Sequence, residues 1–190
     1  MPRTALYDVP VILDQAIDIF LEHSYNGAIM DEIIARTEFN RRGFYLEFGS
    51  KQTFLYRVLE HYQTTQLGPI VSELENHQGV TSINTFFERY ITLIYQKGCL
   101  LINMVTELGS HDPVIKDIGR HYLDKLQIGF IGCLEQAQKH HQITQQVNIE
   151  AAALQLTSFV QGFAVNAVLA ESIDEMKIAT SALIGPLQKA

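Results

Sequence analysis

Apolar residues recur along this chain at three- and four-residue steps, the spacing that places them on one face of a helix. The clearest run follows Gly79, where Ile83, Phe86, Phe87, Tyr90, Ile91 and Ile94 keep that rhythm. Thr81 is the expected N-cap of this helix and Gly98 its expected stop. The same periodicity covers roughly 9–23, 30–36, 41–46, 51–76, 81–96, 99–108, 112–140, 148–171 and 174–188. Alternating strand patterns between hairpin turns are lacking, so the chain reads as all-α with about nine helices. Short helices with tight connections fill the first 50 residues, and longer ones suited to a bundle follow. The segment 51–76 joins the two parts and contains Gly68-Pro69. Proline removes a backbone hydrogen bond and crowds the preceding turn, so a kink or break is expected there, as a static bend or as a hinge.

Composition narrows the class. A chain of 190 residues, 47% apolar and 18% charged, suits one globular domain or a small domain fused to a larger one. Its 14 Lys+Arg against 21 Asp+Glu give a net charge of −7, which excludes an overall polybasic coat for nucleic acid or membrane. Cys99 and Cys133 cannot build a disulfide framework, and no CxxC or Cys/His cluster suggests zinc, so neither metal nor cofactor is expected. Asp8 and Asp14 interrupt the only candidate signal stretch, while Asn103, Gln161 and Asn166 break the two most apolar segments. The expectation is a soluble, reduced, cytoplasmic protein. His140 and His141 point apart on a helix, and His111 and His121 lack a third ligand at helical spacing. Without HExxH, GxSxG, GxGxxG or a P-loop, no enzymatic function is expected.

Residues 28–48 read AIMDEIIARTEFNRRGFYLEF. Two short helical patterns meet at Thr37-Glu38-Phe39, with Asn40 placed to cap the second. Such a pair forms a helix-turn-helix, which can insert its second helix into a major groove. That helix opens Asn40-Arg41-Arg42-Gly43, and its two guanidinium groups can pair with guanine or bind phosphate. From Arg36 to Arg57 the chain has five cations (Arg36, Arg41, Arg42, Lys51 and Arg57) and two acids, Glu38 and Glu47, a local surplus of three.

Residues 12–59 resemble the DNA-binding domain of the TetR family of transcriptional regulators. The resemblance lies in Ile12-Leu13, Ala16, Phe20, Tyr25 and Ile33, then Phe39-Asn40, Phe44-Tyr45, Phe48 and Ser50-Lys51. GCLLINMVTEL (98–108) followed by Asp112-Pro113 is similar to the ligand-binding part of many members. The resemblance implies a DNA-binding domain over about 6–66, with its motif near 29–48, and a ligand-binding and dimerisation bundle over 67–190. It implies a homodimer, most often a repressor, that binds a palindromic operator and is released by a small molecule. Carried over by position, Arg41, Arg42 and Gly43 after the Asn40 cap face base edges, while Tyr45 and Lys51 face phosphates. Tyr45 has packing as its alternative, Arg41 and Arg42 a solvated surface, and Phe48 is assigned to packing outright.

Four departures bear on DNA affinity. Glu38 replaces the usual glycine of the helix-helix turn, where a positive φ costs a non-glycine on the order of 1 kcal/mol. Ile34 stands where a small residue is usual, Ala28-Ile29 where a Thr or Ser caps the helix, and Val9-Pro10-Val11 where basic residues are common. DNA binding is therefore expected to survive in weakened form with a shallow salt dependence, or to be lost in favour of a ligand-binding or protein-interaction dimer.

In the bundle, Met104, Glu107, His121, Tyr122, Phe163 and Asn166 place polar or soft groups within apolar patterns and are the candidate ligand-pocket residues. Glu107 can meet a cationic ligand or cap a neighbouring helix. Cys99 follows Gly98 at a helix start, where the thiolate is favoured; it is a candidate redox sensor or a small core residue. Cys133 reads as packing. Ala152, Leu156, Phe159, Phe163, Met176, Ile178, Leu183 and Leu187 of the last two helices are the expected dimer face.

Overall fold

A computed structural model of the chain describes residues 8–76 and 78–188, and each predicted helical period within them is a helix. In order these are α1 (Val9–Gly27), α2 (Met30–Arg36), α3 (Arg41–Phe48), α4 (Lys51–Tyr62), α5 (Gly68–Glu75), α6 (Val80–Ile94), α7 (Leu100–Leu108), α8 (Pro113–Lys139), α9 (Ile149–Leu169) and α10 (Ile173–Ile184). A π-helical stretch, Gln63–Leu67, fuses α4 to α5, which leaves nine helices among the described residues, α1 being interrupted at Ser24.

That stretch replaces the break expected at Gly68-Pro69. The Gly68 N–H reaches the Gln63 carbonyl, five residues back, and the widened turn accommodates the proline ring and its missing donor. A Cβ on Gly68 would stand 3.0 Å from the Gln63 oxygen, so any other residue would require this turn to give by a few tenths of an ångström. The domain boundary expected at 66–67 thus falls inside an unbroken helix; residues 6–7 and 189–190 of the expected domains lie outside the described residues. At α6 the cap differs from expectation. The helix begins at Val80, whose N–H donates to Gln142 Oε1 at 3.0 Å, and Thr81 lies inside it. Gly98 ends this region as expected, with φ 74° and its N–H on the Ile94 carbonyl at 2.8 Å.

The head, α1–α3 with the first turns of α4, closes around phenylalanine rings. Phe44 meets Phe48 at 5.1 Å and Phe54 at 4.9 Å, while Phe20 and Phe39 flank them. Phe48 is buried there, as its assignment to packing requires. In the body, α5 packs on α6 and α8, α8 on α9, and α10 on α6. Head and body cores join in one buried cluster through the α1–α4 and α1–α7 contacts.

α9 is apolar nearly all round. Gln161 and Asn166 interrupt its apolar run as expected, yet an 18-residue window within its 21 residues has a mean hydropathy of 1.4, so by length and composition the helix could cross a bilayer. Its inner face packs on α8; its outer face exposes Leu154, Val165, Val168 and Leu169, the last at 77%. The expected dimer positions fall mostly on the wrong side of this division. Ala152, Leu156, Phe163 and Met176 are buried within the chain, Phe159, Leu183 and Leu187 are half-buried, and only Ile178 stands exposed.

Candidate nucleic-acid interface and the body behind it

The turn between α2 and α3 holds Glu38 at φ 51°, the strained conformation expected where glycine is usual. Asn40 is extended, and its Oδ1 accepts the Gly43 N–H at 2.7 Å, which fixes the first turn of α3. A Cβ on Gly43 would come 3.0 Å from both Asn40 Nδ2 and the Phe39 ring, so this cap admits only glycine without adjustment. Arg41 is exposed and ion-paired with Asp31 of α2. Arg42 is exposed and forms no ion pair among the described residues. Tyr45 is 43% exposed with its ring edge-on to Phe44, so it is both packed and presented. Leu46, one helical turn from Arg42, is 79% exposed, and reasoning from the sequence overlooked it. Its signal was an apolar side chain at a position of an eight-residue helix that the buried Phe44 and Phe48 do not share. Ile29 occupies the N-cap of α2 without any side-chain cap bond, as its chemistry dictates, and Ile34 is half-buried.

The positive surplus counted between Arg36 and Arg57 does not survive folding. Arg36 pairs with Glu22 and Glu32, Arg57 with Glu47 at 3.3 Å, and Arg41 with Asp31. The Arg36 hydrogen bond holds the Glu22 carboxyl below the ordinary range. Three of these acids lie outside the window counted, and over residues 8–62 five cations face nine acids. Lys51 is turned inward rather than toward phosphate. Its ammonium donates to the Tyr25 carbonyl and lies over the Tyr25 ring, 4.4 Å from the centroid. Burial lowers its pKa, against the pull of Glu107.

Lys51 belongs to a polar joint between head and body. Near the end of α1, Ser24 takes φ 58°, ψ −175°, and this break frees the N–H groups that follow. Glu107 of α7 collects them, accepting from Tyr25 N at 2.8 Å, Asn26 N at 2.9 Å and Asn26 Nδ2 at 2.7 Å. It is the neighbouring-helix cap, one of the two roles open to it. Asp112, the N-cap of α8, accepts from Gln52 at 2.8 Å and from the Tyr56 hydroxyl at 2.6 Å, both on α4. Burial pushes the Asp112 carboxyl up, but donors from Tyr56, Gln52 and the Ile115 and Val114 N–H groups outweigh it and leave it below its ordinary value. Burial and the same bond raise the Tyr56 hydroxyl to about 12.

The six expected pocket residues do not share one site, although Phe163 and Asn166 together line a cleft of about 270 Å³ beside Met176. Met104, Tyr122 and Phe163 are buried, His121 and Asn166 are exposed, and Glu107 serves the joint. Cys99 does precede α7, but it is fully buried and burial raises its thiol pKa, opposite to the activation a helix start would give. The Tyr62 hydroxyl donates to its Sγ at 3.8 Å. Two more tyrosine hydroxyls lie in this cluster, Tyr90 against the Cys99 thiol and Tyr122 against Tyr90, in contacts looser than an ideal hydrogen bond. Tyr62 and Tyr90 were absent from the expected set because, in a periodic pattern, a core tyrosine reads like a core phenylalanine. No group of three His, Cys, Asp or Glu among the described residues could hold a metal ion.

Both parts of the chain have known counterparts. Residues 12–58 match bacterial regulatory proteins of the tetR family, and residues 79–183 match the tetracyclin repressor-like C-terminal domain. The transcriptional repressor DhaR of Mycobacterium sp. (strain GP1) is 28% identical over 107 residues, 55% of this chain and 54% of DhaR, so the match spans about half the length of that relative. The Escherichia coli (strain K12) repressor ComR is 23% identical over 190 residues, covering 95% of this chain and 90% of ComR. A cysteine variant of the regulator CifR, solved with 26-base-pair operator DNA, superposes with a TM-score of 0.83 at 15% identity, covering 97% of this chain and 99% of that one. With the head and the body each matched, and in that order, this chain belongs to the TetR family of bacterial regulatory proteins.

Proposed function

We propose that the protein is a repressor that binds a palindromic operator as a homodimer and leaves it when a small molecule occupies the body. The DNA-binding part ends near residue 66, and the remainder binds the effector and the second copy. The observation that carries the reading is the free edge of α3, where Arg42 and Leu46 stand exposed one turn apart. Arg42 can grip guanine O6 and N7, and Leu46 can lie on a thymine methyl group. Tyr45 reaches a phosphate. Arg41 joins them by leaving Asp31, since an exposed ion pair contributes only about 0–1 kcal/mol. Asn40 and Gly43 set the start of α3, and Lys51 serves from inside by seating α4 against α1.

A second copy packed on the outer face of α9 would cover Leu154, Val165, Val168 and Leu169, which one chain leaves open. A twofold pair of α3 helices then reads half-sites about 34–36 Å apart. Effector release needs only about 1–3 kcal/mol of coupling, and Glu107 and Asp112 connect the body to both α1 and α4. Fluorescence anisotropy on the promoter beside the protein's own gene tests the reading. Wild type binds, and Arg42→Ala weakens binding by about 1–3 kcal/mol while relaxing preference at one base pair. The five-to-nine charge balance of the head favours a second reading, a TetR-like dimer that has lost its operator. Failure to enrich any sequence from a random DNA library at low salt would select that reading instead.

A further inference from the structure

We propose that a cleft walled by α7, α8 and α9 binds a small amphiphilic anion, a carboxylate carrying an apolar chain. The proposal rests on the effector reading above and gives that effector a chemical class. The cleft measures about 400 Å³, within the range of about 300–1,000 Å³ usual for small-molecule sites. Helix periodicity builds its walls. Along α8, Lys116, Arg120, Leu123 and Gln127 recur at three- and four-residue steps and share one face, as Leu154, Ser158 and Gln161 do along α9. The end of α7 comes close because residue 119 of α8 is glycine. A Cβ there would stand 2.5 Å from Val105 Cγ2, so a larger residue would displace Val105, which lines the cleft.

The lining defines what can enter. Val105 and Leu123 are half-buried and Leu154 is 55% exposed, apolar surface that a hydrocarbon chain would take from water. Lys116 and Arg120 are exposed one helical turn apart on α8. Lys116 forms no ion pair among the described residues. Arg120 lies 3.7 Å from Asp117, and because both side chains are exposed that pair is weak enough to be exchanged for a ligand. Asp124, a turn beyond Arg120, is the one acid lining the cleft among the described residues, so cations prevail here in a chain of net charge −7. Gln161, half-buried and without a hydrogen bond among the described residues, can donate to an anion held beside it. An inorganic anion would leave the apolar surface wet, and a plain hydrocarbon would leave both cations unused; a carboxylate with a chain engages both. Leu154 also belongs to the face of α9 proposed to carry the second copy, so an occupant adjoins that interface and can alter the pairing that operator binding requires.

Calorimetry on the full-length protein without DNA tests this with octanoate, octanol, octylammonium and acetate. Octanoate is expected to bind at millimolar concentration or below, octanol about tenfold more weakly, and octylammonium and acetate more weakly still. Lengthening the acid from butanoate to octanoate should tighten binding by about tenfold for every two methylenes that enter the cleft. The double variant Lys116→Gln/Arg120→Gln changes two exposed side chains, so its Tm should match that of wild type. It should bind octanoate no better than octanol, with octanol affinity unchanged. The site is overturned by any of four results: no binding of octanoate, octanol or octylammonium binding as tightly as octanoate, acetate binding as tightly as octanoate, or a double variant that still prefers octanoate. Anisotropy on operator DNA separates this from the wider reading, since octanoate binding that leaves operator affinity unchanged supports the site and overturns release by that ligand.

Discussion

The head buries Phe20, Phe39, Phe44, Phe48 and Phe54 against one another, with the Tyr25 and Tyr45 rings at the margin of that cluster. The body interleaves Phe86, Phe87, Phe130 and Phe163 with Tyr62, Tyr90 and Tyr122, two of which carry a hydroxyl in contacts looser than an ideal hydrogen bond. Both clusters exclude water and hold helices together, so their stabilisation by burial is alike. They differ in what the remaining atoms can do. The head cluster holds α3 in place, and the body cluster carries hydroxyls that phenylalanine at the same positions would lack. Truncation in one cluster should therefore cost far more than dehydroxylation in the other. Phe44→Ala removes the ring shared by Phe39, Phe48 and Phe54, and a loss of about 3–5 kcal/mol is expected by chemical denaturation. Tyr90→Phe alone should leave stability nearly level; a loss as large as that of Phe44→Ala would erase the distinction.

The joint between the two parts has the next largest effect. Glu107→Ala leaves the Tyr25 and Asn26 N–H groups without their acceptor and takes a carboxylate from the vicinity of Lys51. Hydrogen bonds to a charged group contribute about 1.5–3 kcal/mol, and the damage should be local. Amide exchange at residues 24–27 should accelerate while the body's α8 and α9 stay protected. Uniform acceleration through the chain would mean that the joint is part of the general core rather than a seam.

Asp112 should show a smaller effect with a pH signature. Its folded-state pKa is lowered, so it stabilises the fold above the ordinary aspartate value of 3.8, and that contribution is lost as pH falls through the folded value. Wild type should therefore exceed Asp112→Asn in unfolding free energy at neutral pH, by about 1 kcal/mol, and the gap should close under acid. A gap that widens as pH falls would reverse the sign and refute the assignment.

The parts of this fold that were legible in the sequence are those set by near neighbours. Helical periods, the Asn40 cap, the positive φ at Glu38 and the glycine stop at Gly98 all depend on residues within a turn or two. What escaped depends on distant partners. Gln142 caps α6 from 62 residues away, and Glu107 bonds Asn26 across 81. Periodicity marks which residues turn inward but not which ones meet, so Tyr122 could be singled out and its convergence with Tyr62 and Tyr90 could not. The charge of the head failed for the same reason. Glu22, Asp31 and Glu32 precede the counted Arg36–Arg57 window in sequence and pair with its cations in space.

That neutralisation yields the smallest and most discriminating prediction. Asp31 pairs with Arg41 at the edge proposed to face DNA, so in the free protein it holds one guanidinium, and in the proposed complex it would stand as an anion near phosphate. Asp31→Asn removes both effects while leaving Arg42, Tyr45 and Leu46 untouched. Because the pair is exposed, stability should change by no more than about 0.5 kcal/mol. Operator affinity should rise, and the slope of log K against log salt should steepen by about one, the signature of one more phosphate neutralised. In the Arg41→Ala background the same substitution should lose that extra slope, because the guanidinium it would release is gone. Equal gains in both backgrounds would assign the effect to removal of a repelling charge alone and leave Arg41 as surface. A DNA affinity indifferent to all of these changes would place the interface away from α3.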